Sequence, residues 1–292
     1  MDQFLALKIK SNRYRRRLLQ AIKKANAGHT GGSLSCIDIL NVLYNKVLKV
    51  SPETFGDPDR DRFIHSKGHS VEALYTVLAD RGFFPDADLD TLCCCQSPYV
   101  GHPTRKVNGI EQNTGALGHG LPIAAGIAIA GKLDGRSYRT FALMGDGELA
   151  EGSNWEAALI AGHYGLDTLT AIIDHNGLQI TGPTREVCKT DPLPEKWRAF
   201  GWAVAEIDGH DPRELLEAFN AAPLAAGKPT MFIAKTVKGK GVPFMEHVGS
   251  WHHGVPDDQQ YRDALDALEK EYEALTQGLS ADDLAEETLS CQ

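Results

Sequence analysis

No hydrophobic run in this sequence is long enough to cross a bilayer. The longest, LPIAAGIAIAG at residues 121–131, is 11 residues and contains Pro122, against the roughly 20 apolar residues a spanning helix needs. Bulk positive charge is missing too. Thirty Lys and Arg stand against 39 Asp and Glu, a net charge of −9, which excludes a nucleic-acid binder held by overall charge. An anionic ligand would need local help from a cation, helix ends or backbone N–H groups. Cysteine is scarce and poorly placed for a framework. Of the six (Cys36, Cys93, Cys94, Cys95, Cys188, Cys291), three are adjacent and none belongs to a C-x-x-C pair, so neither a thiolate cage nor a disulfide scaffold is expected. The basic N-terminal stretch lacks the apolar segment and cleavage site of a secretory signal, so reduced thiols in the cytoplasm are the expectation.

What is present alternates between two patterns. RFIH (Arg62–His65), TFALM (140–144), LTAIID (169–174), residues 202–207 and TMFIAKT (230–236) read as short buried strands. Helices are expected near 71–81, 155–163 and 257–275, the last followed by an acidic tail. An opening helix places Tyr14, Leu18 and Ile22 on one face, with Lys8, Lys10, Arg13, Arg15, Arg16 and Arg17 expected on its wet face. Apolar runs separated by helices predict an α/β fold, a parallel sheet flanked by helices on both faces. No composition shift or linker divides the chain, so residues 1–292 read as one domain with an N-terminal helix and a C-terminal helical tail.

Open parallel sheets bind ligands beyond the carboxyl ends of their strands, so the residues just after each strand carry the most information. TFALM is followed by Gly145-Asp146-Gly147-Glu148, and LTAIID by His175-Asn176-Gly177-Leu178. If the two strands are neighbours, Asp146 and Asn176, 30 residues apart, share one sheet edge. A carboxylate oxygen and an amide oxygen there suit magnesium, which keeps positions open for phosphate oxygens. Read alone, Gly-Asp-Gly is only a turn. A second glycine cluster, TGALGHG (114–120), leads into a small-residue helix. It is not a dinucleotide fingerprint, because Ile123 stands where the third glycine belongs; it is either a flexible entry loop or backbone that touches a ligand. Histidines sit beside glycines at His29, His69, His102 and His253, which suits imidazoles leaning into a cavity as well as ordinary surface positions. His65 and His69 are four apart but lack a zincin's glutamate, so zinc is not expected.

GHTGGSLS (28–35), SKGH (66–69), GHP (101–103), TGALGHGL (114–121), GDGELAEG (145–152) and DHNGLQITG (174–182) occur in an order and spacing that resembles the N-terminal, thiamine-diphosphate-binding part of transketolase, from about residue 18 to 254. The resemblance implies the thiamine-diphosphate-binding fold of the pyrophosphate type. It implies magnesium on Asp146, Asn176 and the Leu178 carbonyl, with diphosphate on the Gly147 backbone. His69 would contact the cofactor, the backbone of Gly115, Ala116 and Leu117 would lie along its aminopyrimidine, and Glu151 would join a carboxylate network where two protein chains meet. His29 and His102 would face the substrate. A further active-site histidine falls in HVGSWHHG (247–254), where His247, His252 and His253 all qualify and His252 is preferred. One departure is Thr30, where the family usually has proline.

Transketolase carries a second domain that supplies the glutamate activating the aminopyrimidine and the basic residues gripping the sugar phosphate. No carboxylate here matches that glutamate, so the resemblance implies one half of a split enzyme. Its partner would be a separate C-terminal, pyrimidine-binding subunit, and the assembly a heterotetramer. Its activity would move a two-carbon ketol unit from a ketose phosphate to an aldose phosphate, with no nucleic acid or membrane involved. A silent cofactor-binding assembly component would bind thiamine diphosphate without ketol transfer. Another thiamine-diphosphate carbon–carbon enzyme would differ in its products, and a metal hydrolase would need a compact ligand cluster.

Overall fold

The computed structural model describes residues 1–280 and Asp283; Cys291 and most of the expected acidic tail lie outside the described residues. Helices α1 (Gln3–Ala25) and α2 (Thr30–Val42) precede strand β1 (Arg62–His65). Then come α3 (Val71–Asp80), α4 (Gly120–Leu133), β2 (Thr140–Gly145), α5 (Gly152–His163) and β3 (Leu169–His175). A small hairpin of β4 (Leu178–Gln179) and β5 (Gly182–Pro183) leads to the single turn α6 (Thr184–Val187). The chain finishes with α7 (Leu193–Ala199), β6 (Ala203–Asp208), α8 (Pro212–Ala221), β7 (Thr230–Lys235) and α9 (Asp258–Thr276).

Five strands form one parallel sheet in the order β1-β2-β3-β7-β6. All five expected strands are present, with ends shifted by a residue or two. The central strands are apolar throughout because both their faces are covered. Phe141, Leu143, Ile172, Phe232 and Ala234 point into one core, while Ala142, Met144, Ala171, Ile173, Met231 and Ile233 point into the other. That is the period-two alternation of a strand buried on both sides. The first core is closed by α1, α2, α3, α8 and α9 through residues such as Leu18, Ile37, Leu74, Phe219 and Leu268. The second is closed by α4, α5 and α7 through Ala124, Ala158 and Trp197.

The opening helix departs from expectation. Tyr14, Leu18 and Ile22 are buried as expected, but Lys10 and Arg15 of its basic face are also buried. Helix α1 packs against α2, α3 and α9, so those cations lie between layers and are paired there: Lys10 with Asp80 at 2.9 Å and Arg15 with Asp38 at 2.5 Å. A buried charge persists only when paired and hydrogen-bonded. Helix α2 had no signature in the sequence pattern for the same geometric reason. Every residue in it is buried, so it has no polar face and no amphipathic period.

Candidate active site

The carboxyl ends of β1, β2, β3 and β7 open onto a cavity of about 300 Å³, bordered by Lys67, His69, Asp146, Asn176, Leu178 and Lys238. Pairing of β2 with β3 sets Gly145 opposite Asp174, which brings the two following turns together. The Asp146 carboxylate accepts hydrogen bonds from the Gly147 N–H at 2.8 Å and the Gly177 N–H at 2.5 Å. Asn176 Oδ1 accepts from the Leu178 N–H at 3.1 Å. The shared sheet edge expected from the sequence is therefore present. Burial, reinforced by the nearby Asp174 carboxylate, pushes Asp146 up to about 6.

Beneath this edge lies an ion pair that strand patterning alone did not single out. Lys67, just past β1, donates to Asp174 of β3 and, at 3.0 Å, to the Gly32 carbonyl of α2. Asp174 also accepts from the hydroxyls of Ser35 at 2.5 Å and of Thr236. Burial alone would raise Asp174, but the Lys67 ammonium and these donors outweigh it and hold the carboxyl near 2. Lys238, just past β7, donates to the Leu178 carbonyl at 3.2 Å and contacts His252 Nδ1 at 2.9 Å. Desolvation, with Lys67 nearby, brings its ammonium down to about 8. Both lysines follow strands, so the strand-end rule that singled out Asp146 and Asn176 could have found them.

The histidines flagged beside glycines converge. His29 has ring centroids 5.3 Å from His69, 6.0 Å from His102, 5.8 Å from His252 and 4.7 Å from His253. His69 and His252 stack at 5.0 Å. Burial first, then neighbouring imidazoles and lysines, lowers His29 to about 4 and His252 to about 3, and burial also lowers His69 and His102. These rings are neutral near pH 7, able to donate and accept hydrogen bonds without carrying charge. Of the three histidines in 247–254, His252 borders the cavity and His253 packs on His29. His247 borders a separate hollow beside Thr184 and Arg185.

Glycine makes two of these approaches possible. At Gly115, with φ at 138°, a Cβ would fall 2.6 Å from the His102 ring. At Gly147 it would fall 2.7 Å from Gln179 Cβ. Gly115 and Leu117 border the cavity, whereas Ala116 between them does not. Glu151 is exposed at the rim. Glu148, which stood among the strand-end residues without a role assigned to it, is buried and fastens this loop: its carboxylate accepts from the Gly118 N–H at 2.9 Å, the Gly145 N–H at 3.1 Å and the Ser66 hydroxyl.

The donor chemistry is that of hard oxygens. Asp146, Asn176 and Leu178 border one cavity, and among the described residues no group of three or more His, Cys, Asp or Glu could hold a metal. A metal here would complete its shell with ligand oxygens, as magnesium does, and the set fits a diphosphate-bridged cation better than zinc. Fold and site together define a parallel α/β protein with hard-oxygen groups, two lysines and a cluster of imidazoles gathered at the carboxyl edge of its sheet. Residues 8–271 match the family model described as transketolase, thiamine diphosphate binding domain. The chain belongs to the transketolase family of transferases and carries its thiamine diphosphate binding domain.

It is 45% identical to one of the named subunits of the apulose-4-phosphate transketolase of Phocaeicola vulgatus, over 94% of this chain and 97% of that one. It is 41% identical to the 6-deoxy-6-sulfo-D-fructose transketolase subunit SqwG of a Clostridium species, over 92% of this chain and 98% of that one. The solved transketolase of Campylobacter jejuni superposes with a TM-score of 0.81 at 28% identity, covering 98% of this chain and 50% of that chain. This chain therefore spans about half the length of that transketolase. Among the described residues no helix is long and apolar enough to cross a membrane.

Proposed function

We propose that this chain is the diphosphate-binding half of a split, cytoplasmic transketolase. Joined to a separate pyrimidine-binding subunit in a heterotetramer, it transfers a two-carbon ketol unit from a ketose phosphate to an aldose phosphate. The observation that carries the reading is that Asp146, Asn176 and Leu178 line the cavity that His69 and His252 also border. The partner is supported by two relatives, each named as a subunit and each matched over nearly its whole length.

In this reading Asp146, Asn176 and Leu178 hold magnesium, and the Gly147 backbone together with Lys67 and Lys238 contacts the diphosphate. Thiamine diphosphate, when bound, supplies the carbanion chemistry that the protein's own groups cannot. Gly115, Ala116 and Leu117 offer backbone to the aminopyrimidine, and Glu151 meets the partner at the rim. His29, His102 and His252 orient the donor's hydroxyls. Because their rings are neutral, they can donate a hydrogen bond to the developing alkoxide and pass a proton without first losing one. The Lys238 ammonium, which has no carboxylate partner among the described residues, offsets phosphate charge that the overall −9 would otherwise repel.

The test begins with the full chain. Asp146→Ala should abolish magnesium-dependent binding of thiamine diphosphate in calorimetry, and undiminished affinity would remove the basis of the assignment. With the partner subunit present, a ketose phosphate and an aldose phosphate should exchange a two-carbon unit; binding without exchange would identify a silent assembly component.

A further inference from the structure

Glu72 and Thr30 are buried polar residues away from the cavity wall, and both hold the segment that carries His29. Glu72 lies on α3 and is 2% exposed; Thr30 opens α2 and is fully buried. One Glu72 oxygen accepts from the His29 N–H at 3.2 Å, the other from the Ser33 hydroxyl at 2.8 Å. The Thr30 hydroxyl donates to the Gly254 carbonyl at 2.6 Å, and His29 forms an isolated parallel bridge with Gly254. The His29 carbonyl in turn accepts from the Ser33 N–H at 3.1 Å. Backbone on both sides of His29 is thus tied down, to α3 on one side and to the 249–254 loop on the other. The ring is not: His29 Nδ1 is buried and has no hydrogen-bond partner.

An imidazole is commonly oriented by a hydrogen bond to one of its own nitrogens. With Nδ1 unpartnered, the backbone beneath the ring and packing against neighbouring rings carry its placement on that side. We propose that Glu72 and Thr30 are positioning residues for His29, fixing its backbone so that the ring sits among His69, His102 and His253. The inference rests on the reading that His29 faces the substrate. Threonine at position 30 supplies a hydroxyl that proline would lack, so the departure from the usual family residue becomes the second anchor. Gly28 belongs to the same device, since a Cβ there would fall 2.8 Å from Ile22 Cγ1 and 3.0 Å from Glu72 Oε1.

The experiment uses four variants of the full chain: Glu72→Leu and Thr30→Val, which remove the hydrogen bonds, Glu72→Gln, which keeps an acceptor for the His29 N–H, and Thr30→Ser, which keeps the hydroxyl. In histidine side-chain NMR of the chain alone, Glu72→Leu and Thr30→Val should displace the His29 ring resonances while leaving those of His163 in place. Glu72→Gln and Thr30→Ser should restore them. In the two-subunit complex, Glu72→Leu and Thr30→Val should lower kcat/KM for the ketose donor at least tenfold, with the affinity for thiamine diphosphate unchanged. The same substitutions made in a His29→Ala background should cost less than twofold. Equal losses with and without His29, or unmoved His29 resonances in folded Glu72→Leu and Thr30→Val, would overturn the proposal. If Glu72→Leu does not fold, Thr30→Val carries both measurements. A complex with no ketol transfer would count against the functional reading, and the ring resonances would still decide the positioning.

Discussion

Replacing Lys67 by methionine tests whether the floor of the site is held by charge. The lysine is 1% exposed and its partner Asp174 is fully buried, with the carboxyl held near 2 and therefore ionised at any working pH. Methionine fills similar space but leaves an uncompensated carboxylate in the core. Breaking a buried pair from one side costs about 3–5 kcal/mol, whereas neutralising both partners together is often close to neutral. Ser35, Thr236 and Asn176 still donate to Asp174, which places the expected loss toward the lower figure. At roughly 2 °C per kcal/mol for a chain of this size, Lys67→Met should lower the melting temperature by about 6–8 °C. The double variant Lys67→Met/Asp174→Asn should recover most of that loss. Cofactor affinity should behave differently, because Lys67 also borders the cavity: it should fall in the single variant and stay low in the double. Thermal melts followed by circular dichroism and calorimetric titration with thiamine diphosphate separate the two effects. A single variant melting within about 2 °C of the parent, or a double variant no more stable than the single, would refute the reasoning.

Two further outcomes follow from the packing. Gly120 and Gly126 share α4, yet a Cβ at Gly120 would collide with the Ser66 side chain, while at Gly126 nothing lies within 4 Å. Gly120→Ala should therefore destabilise by about 1–3 kcal/mol through overpacking, and Gly126→Ala should stabilise by about 0.5–1 kcal/mol; denaturant melts giving both the same sign would contradict this. His65 is buried against Ser70, 2.9 Å from its hydroxyl, and burial pushes the imidazole down from 6.5 to about 3. The folded state thus favours the neutral ring, so this contribution to stability is complete above pH 6.5 and is lost as pH falls toward 3. At pH 5 the loss from this ring is about 2 kcal/mol, and a His65→Gln variant should show a shallower decline of stability between pH 7 and 5 in urea titrations.

Which parts of this molecule could be read from its residues depends on whether their signal is local. The strands could, because a segment covered on both faces is apolar throughout, and LTAIID has no other comfortable place. Asp146 and Asn176 could, because a strand's carboxyl end is a fixed address and parallel neighbours bring two such addresses together. Helix α2 could not, since burial on every side erases the period that would announce it. The basic face of α1 misled for a related reason: Lys10 and Arg15 look solvent-bound until the helices carrying Asp80 and Asp38 are packed against them. The same blindness hid the supports of the site. Asp174 holds Lys67, Glu148 holds Gly118, and Glu72 holds His29, each joining residues far apart in the chain. A carboxylate costs several kcal/mol to bury, and hydrogen bonds or a cation must offset that cost. Three such groups, each closing on a different loop around one cavity, give those loops fixed positions in place of the mobility usual for connecting segments. In the proposed reading the motifs mark where ligands meet the protein, and these carboxylates, whose partners local pattern could not reveal, hold the loops in place beforehand.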